Sequence, residues 1–392
     1  MDLYDGYEVV SSILLRECHL KPPAFFRFTY RVAYGSNAGR IGDSIMKKLH
    51  IHGKTGDSAL LVGENLAQLK HLVSGRRAVI ITDNHVEALY RKDFPDCPVI
   101  TIGCGEGIKT LDTVHDIYRH LVELEADRST FIVGIGGGIV CDIAGFVAST
   151  YMRGVSFGFV ASSLLAQVDA SVGGKNGVNF GGYKNMVGVF NQPEFVICDM
   201  NLLHTLPRQE LLCGFAEIVK HAVIADEKMF AFLEDRWQDA LALNHDVIER
   251  LVYDSVVIKS GVVNRDETEK GERRILNFGH TVGHAIEKTT GIPHGEAVSI
   301  GMVAPAGIAR NLEMFLETDM QRIISLLAHF NLPVRLGAAH RDAVFDAMRK
   351  DKKREGDGIF FVLPPRIGAA TVRSLSIAEI RRLAADLFQP EG

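Results

Sequence analysis

The chain has 392 residues, 47% of them hydrophobic and 23% charged, with a formal net charge of −5. That length allows two domains with their own cores, and that balance excludes a disordered chain or a generic nucleic-acid binder. No stretch supplies the roughly 18 uninterrupted apolar residues a membrane span needs, so no membrane partner is expected. The six cysteines are scattered without a Cys-x-x-Cys pair, which fits reduced thiols and not a disulfide framework or zinc ribbon. Asp2, Asp5 and Glu8 precede the first apolar run and make a poor signal peptide, so a cytoplasmic protein is expected.

Residues 1–57 read as an N-terminal extension in which no chemistry is legible. Val9–Leu15 is a short apolar run, Lys21-Pro22-Pro23 breaks any helix, Phe25–Val32 resembles a strand, and Gly35–Gly42 is rich in glycine. Met46-Lys47-Lys48-Leu49 leads straight into the organised part and is a candidate natural start. From Ser58 the texture alternates. Ala59–Val62, Ala78–Thr82, Pro98–Ile102 and Thr130–Ile135 are buried-strand runs, while Leu66–Val73 and Leu111–Ala126 carry helical spacing. Strand and helix in alternation predict a mostly parallel sheet covered on both faces over residues 58–199. Beyond Asp199 helical periodicity takes over, through Leu211–Ile224, Phe230–Leu243, Val247–Val263, Thr281–Thr289 and Ala297–Arg310. Met320–Phe330, Arg341–Met348 and Ile377–Phe388 extend it, with a small hairpin expected from Gly358–Leu363 and Ala369–Val372. Residues 200–392 are thus expected to form a second, mainly helical domain.

Three strand ends in the first half carry polar groups where α/β sheets bind ligands. Thr82-Asp83-Asn84 offers a carboxylate for ribose hydroxyls, and Gly105-Glu106-Gly107-Ile108-Lys109 follows another strand. Gly136-Gly137-Gly138 runs from strand to helix, ending at Asp142, and lets a phosphate approach the backbone. The spacing is not Gly-x-Gly-x-x-Gly, yet the three ends together favour a dinucleotide. Gln167–Asn176, containing Asp169 and Lys175, and Tyr183-Lys184-Asn185 place lysines among glycines, which suits a phosphorylated anion.

In the second half His280, His284 and Glu287 fall at i, i+4 and i+7, on one helical face. A third imidazole follows at His294-Gly295-Glu296, just past that helix. Three protein ligands plus an open position is the usual form of a catalytic zinc site, and two histidines with one carboxylate would complete it. Glu217 and Lys220 share a face of an earlier helix, and beside these histidines Glu217 is a natural third ligand. Arg273, Arg274 and Asn277 lead into the histidine helix; by composition Asp351-Lys352-Lys353-Arg354 is a solvated loop and Trp237 is core.

Taken in order, these motifs resemble 3-dehydroquinate synthase, a sugar-phosphate cyclase family of the shikimate pathway that leads to chorismate and the aromatic amino acids. The resemblance runs from about residue 59 to the C-terminus. It is carried by Gly136–Asp142, Tyr151-Met152-Arg153-Gly154, Leu164–Asp169, Gly173-Gly174-Lys175, Lys184-Asn185, Ala216–Lys220, Asn277–His284, His294–Glu296 and Asp351–Lys353. It implies a Rossmann-like, mostly parallel α/β domain that binds NAD, then a mainly α-helical metal-binding domain, in a homodimer. Glu217, His280 and His294 would hold Zn²⁺ or Co²⁺. NAD would lie along Asp83, Asn84, Glu106, Lys109, Gly136, Gly137, Gly138, Asp142, Ser162, Ser163, Asp169, Lys175 and Lys184.

The family's substrate is a small phosphorylated sugar acid, 3-deoxy-arabino-heptulosonate 7-phosphate. By resemblance Lys175, Asn185, Lys220, Lys259, Arg273, Asn277, His284 and Lys353 (or Lys352) would serve it, with Arg153 reaching the phosphate site of the partner subunit. The implied reaction oxidises one carbon with NAD, eliminates phosphate, returns the hydride and closes the carbocycle by an intramolecular aldol step, which makes the enzyme a phosphorus–oxygen lyase. Two departures stand out: Ala161-Ser162-Ser163 replaces the family's common Pro-Thr-Thr, and residues 1–57 lie outside the resemblance. An aminodehydroquinate synthase, another sugar-phosphate cyclase and a metal-dependent polyol dehydrogenase are the alternatives.

Overall fold

The computed structural model describes residues 47–384 apart from 338–339, 351–353 and 356–357. The expectations for Val9–Leu15, Phe25–Val32, Gly35–Gly42 and Lys352-Lys353 therefore lie outside the described residues. In the first half the strands are β1 (Lys47–Gly53), β2 (Gly56–Val62), β3 (Ala78–Asp83), β4 (Val99–Ile102), β5 (Phe131–Gly136) and β6 (Phe157–Ala161). They are followed by the hairpin β7 (Lys175–Phe180) and β8 (Tyr183–Phe190), and by β9 (Phe195–Cys198). Between them lie helices α1 (Leu69–Leu72), α2 (Asn84–Tyr90), α3 (Leu111–Glu123) and α4 (Gly138–Thr150).

The strands assemble in the order β1-β2-β9-β6-β5-β3-β4. Every pairing is parallel except β1 with β2. Side chains alternate across the sheet with period two. Val79, Ile81, Ile132, Val196 and Cys198 join the larger core, while Ile80, Phe131, Val133, Phe195 and Ile197 join a smaller core on the opposite face. Because both faces are covered, the central strands read as unbroken apolar runs, which is why they were legible. The sheet begins earlier than the pattern indicated. Leu49 and Ile51 of β1 alternate with His50 and His52, a half-exposed edge strand whose polar positions obscure it.

The second half contains α5 (Arg208–Ala225), α6 (Glu227–Leu241), α7 (His245–Arg265), α8 (His280–Thr290), α9 (His294–Asn311) and α10 (Glu317–His329). After α11 (Arg341–Lys350) come β10 (Arg354–Glu355) and the expected hairpin, β11 (Gly358–Arg366) with β12 (Ala369–Ser376), then α12 (Ile377–Leu383). α9 starts three residues before the predicted Ala297, so His294 opens that helix behind Pro293 instead of sitting in a loop. The larger core runs without a break from the sheet face through α4 into α5, α7 and α9. Helix α5 is its axis, buried at every position from Cys213 to Ala225. Among the described residues no helix is long and apolar enough to cross a membrane.

Candidate active site

The strand order reverses between β3 and β5. From β3 the chain steps outward to β4, then returns to the other side of β3 to form β5. The crevice beyond the carboxyl ends of such a pair is where open α/β sheets bind ligands. Thr82 pairs with Ile135 there, so Asp83-Asn84 and Gly136–Gly138 stand side by side at its rim. Ser162 N–H donates to Gly136 O at 2.9 Å, and Ser163 lies behind Gly137. Asp83 already has work to do locally, since its Oδ1 caps α2 by accepting from His85 and Val86 N–H at 2.9 Å. Lys109 is buried against Asp142, and its Nζ also donates to Asn185 Oδ1 at 2.5 Å. Burial raises the Asp142 carboxyl despite that ammonium. Asn185 adopts φ +51°, a left-handed conformation asparagine tolerates, in the β7–β8 hairpin. That hairpin also carries Lys184 and, at its base, Lys175.

In the helical half, close packing of helices brings the metal-capable residues together. Gly295, next to His294, lies so near α5 that a Cβ would stand 2.4 Å from Cys213 Cα. Gly301 lies equally near α8, where a Cβ would meet Gly279 O at 2.1 Å. Small residues at these crossings let α5, α8 and α9 converge, and the ligand atoms of Glu217, His280 and His294 fall within 4.8 Å of one another. Glu217 Oε1 lies 3.4 Å from His280 Nε2 and 3.4 Å from His294 Nε2. His280 Nδ1 sits 3.1 Å from Phe278 O, which can only accept, so the proton is on Nδ1 and Nε2 offers a lone pair. A buried carboxylate faced by two imidazole nitrogens at 3.4 Å is a donor set that fits a borderline divalent cation.

Electrostatics agree. Burial pushes the Glu217 carboxyl up, but Lys220 and His280 outweigh it and hold it well below the usual carboxylate range. Burial lowers His280, whereas His294, also pulled down by burial, is carried up to about 9 by its hydrogen bonds to Glu217 and Glu287. His284 stands edge-on to His280, with ring centroids 5.2 Å apart, outside the Glu217 set.

A cluster of cations adjoins this centre. Lys220 and Lys259 both pair with Asp169, and Lys220 also closes on Glu217. Burial lowers Lys259 to about 8 even with Asp169 beside it. Arg273 is 2% exposed; its guanidinium donates to Gly173 O at 3.0 Å and to Glu267 O, while its buried Nε–H has no partner among the described residues. Lys175 and Asn277 converge on one carboxylate, Glu269, with Asn277 Nδ2 at 2.5 Å. Sequence reasoning did not single out Glu269, because an acid in a polar loop carries no pattern. Nor did it single out His221, wholly buried beside Asp169 at 3.9 Å. Arg153 is exposed at φ +71° in the turn after α4, and Lys353 lies outside the described residues.

A parallel-sheet half with a crevice at its switch point, joined to a helical half with a two-histidine, one-carboxylate centre, defines an enzyme class that pairs a nucleotide cofactor with a divalent metal. Residues 99–213 match the family model for the 3-dehydroquinate synthase N-terminal part, and residues 214–354 that for its C-terminal part. The 3-dehydroquinate synthase of Acetivibrio thermocellus is 39% identical over 360 residues, covering 87% of this chain and 99% of that protein. A crystal structure of 2-deoxy-scyllo-inosose synthase complexed with carbaglucose-6-phosphate, NAD⁺ and Co²⁺ superposes with TM-score 0.78 at 26% identity, covering 87% of this chain and 100% of that one. The 2-epi-5-epi-valiolone synthase of Streptomyces hygroscopicus subsp. jinggangensis, solved with NAD⁺ and Zn²⁺ bound, shares the fold at TM-score 0.78 and 24% identity, covering 89% and 99%. The chain belongs to the 3-dehydroquinate synthase family.

Proposed function

We propose that this protein converts 3-deoxy-arabino-heptulosonate 7-phosphate into 3-dehydroquinate and phosphate, with NAD at the β3/β5 crevice and Zn²⁺ or Co²⁺ on Glu217, His280 and His294. The observation that carries the reading is the juxtaposition of that three-ligand centre with the buried cations Lys220 and Lys259, the first paired with Glu217 and both with Asp169. A polyol dehydrogenase needs the centre but not the cations. When bound, the metal would act as a Lewis acid on substrate hydroxyl oxygens, and NAD would accept a hydride and return it.

The remaining work falls to side chains of the chain itself. Arg273, buried with its Nε–H uncommitted, suits the substrate carboxylate, since a planar guanidinium recognises that group directionally. Lys175, Asn277 and Asn185 suit the phosphate; Lys175 and Asn277 already hold a carboxylate, that of Glu269. Lys259, lowered to about 8, is able to hold or release a proton at Nζ near neutral pH. Lys220 offsets the charges of Glu217 and Asp169 and keeps both ionised. Holding one flexible substrate through several steps is chiefly a positioning task.

We also infer a cytoplasmic homodimer. The β7–β8 hairpin exposes Phe180, Tyr183, Met186 and Phe190, and Met152 is exposed beside Arg153, an apolar surface that suits a second copy. Such packing would bring Arg153 to the neighbouring subunit's phosphate site. The described cysteines are free, three of them buried, as a reducing compartment permits.

The test is phosphate release from 3-deoxy-arabino-heptulosonate 7-phosphate with catalytic NAD⁺ and Zn²⁺ or Co²⁺, the product being followed by mass. Stoichiometric phosphate and dehydroquinate without NADH build-up are expected. A folded, loaded protein that releases no phosphate from this substrate, but turns over its amino analogue, would overturn the substrate assignment. Steady NADH accumulation would overturn the reaction class.

A further inference from the structure

Glu287 shares a helix face with His280 and His284, and it meets His294 at the ring nitrogen that does not face Glu217. One oxygen, Oε2, lies 3.4 Å from His294 Nδ1, and the other accepts from Lys184 Nζ at 2.7 Å. Lys184 comes from β8, in the other half of the molecule. On its far side stands Glu106 Oε1 at 3.7 Å, which Asn179 Nδ2 holds at 2.7 Å from the partner strand β7. A continuous polar line thus runs Glu106–Lys184–Glu287–His294–Glu217, from the turn after β4 to the metal-capable cluster.

The chemistry of this line is directional. Facing Glu287, His294 Nδ1 keeps its proton, so the proton that a metal would expel is the one on Nε2, the atom that faces Glu217 at 3.4 Å. A carboxylate behind a metal-bound imidazole fixes its tautomer and ring plane and raises its basicity. Glu287 is itself pinned: its side chain is 12% exposed, and the ammonium of Lys184 fixes which oxygen remains for His294. His284, Glu287 and His294 also bring ligand atoms within 4.8 Å of one another. A cation there would displace the His294–Glu287 contact and sit against the Lys184 ammonium, so that grouping serves better as a support than as a second metal site.

We propose that Glu287 is the positioning residue for His294, and that Lys184 links the cofactor-side hairpin to the metal centre through it. This rests on Glu217, His280 and His294 being the metal ligands. The test measures Co²⁺ affinity of the full chain by competition with a chromophoric chelator, together with the visible absorption of bound Co²⁺. Glu287→Gln, which keeps size and removes charge, is expected to weaken Co²⁺ binding about 10–100-fold and alter the Co²⁺ spectrum, with circular dichroism unchanged. Glu287→Asp, which keeps the charge, should recover part of the loss. Lys184→Met should weaken binding several-fold alone and add nothing in the Glu287→Gln background, because both act on one imidazole. Affinity within twofold of the unaltered protein in Glu287→Gln overturns the positioning role, and additive losses overturn the link through Lys184. Glu217→Gln and His280→Ala serve as references: if neither weakens Co²⁺ binding, the ligand assignment itself falls, whereas if they do and Glu287→Gln does not, only the positioning role falls.

Discussion

Replacing Gly301 by alanine tests how the proposed metal centre is built without altering any of its three candidate ligands. Gly301 sits where α9 crosses α8, and a Cβ there would meet Gly279 O at 2.1 Å, Gly283 N at 2.8 Å and Gly283 Cα at 3.0 Å. All three are backbone atoms, so no rotamer change relieves the contact. A carbon settles against a carbonyl oxygen at about 3.3 Å, so the helices must part by roughly 1 Å. Overpacking of this kind costs about 1–3 kcal/mol, and melting should fall by several degrees. The displacement matters more to the site, because metal–ligand distances tolerate only about 0.2 Å. His280 starts α8 and His294 starts α9, so Gly301→Ala should lower Zn²⁺ affinity at least about tenfold, measured by chelator competition, alongside thermal melting with and without metal. A variant with unchanged melting and unchanged affinity would refute the claim that close crossing of α8 and α9 sets the centre.

Four further outcomes are expected. In the metal-free protein His294 keeps its proton up to about 9, so metal entry must expel it below that pH. Zn²⁺ affinity should therefore climb about tenfold per pH unit and flatten above about pH 9, with close to one proton released per ion by calorimetry in different buffers; a flat profile would count against it. The same raised pKa stabilises the metal-free fold fully below the free imidazole value of 6.5 and loses that contribution as pH rises through about 9, which a melting series would show. Asp142→Ala strands the buried Lys109 ammonium and should cost about 3 kcal/mol while weakening NAD⁺ binding; melting unchanged within a degree would contradict the pairing. Met186→Glu places a charge on the exposed hairpin face and should shift a dimer toward monomer in sedimentation, with phosphate release falling in parallel.

The parts of the fold that were legible are those whose physics is local. Central strands such as Ala78–Asp83 and Phe131–Gly136 are buried on both faces and so spell themselves as apolar runs. The helix of His280 and His284 showed through its 3.6-residue spacing. The β7–β8 hairpin is hard to see in the sequence, because Gly181-Gly182 forms its turn and β8 is exposed or half-exposed throughout, so no buried face marks it. β9 is only four residues long, and β1 hides behind polar edge positions. Site residues divide the same way. His280 announced itself by spacing, but nothing near Glu287 tells which nitrogen of His294 it meets or that Lys184 reaches it across the cleft. The Lys184 contact depends on packing between halves, across 103 positions of chain, and the His294 contact on how α9 turns back onto α8.

The outermost hairpin of the sheet shows how far such packing extends. Glu267, in the segment after α7, accepts from Lys54 N–H at 2.8 Å and Thr55 Oγ1 at 2.7 Å in the β1–β2 turn, and from Gln192 Nε2 at 3.1 Å. Its own carbonyl receives the Arg273 guanidinium, and two residues further on Glu269 meets Lys175. The margin of the sheet is therefore a retaining wall for the proposed anion pocket, although neither Lys54 nor Thr55 belongs to it. Drift at such margins is usually cheap, since edge turns tolerate exchange and insertion. Here a changed turn would act on the cations proposed for the substrate through Glu267, which lies 213 positions from Lys54 in the chain.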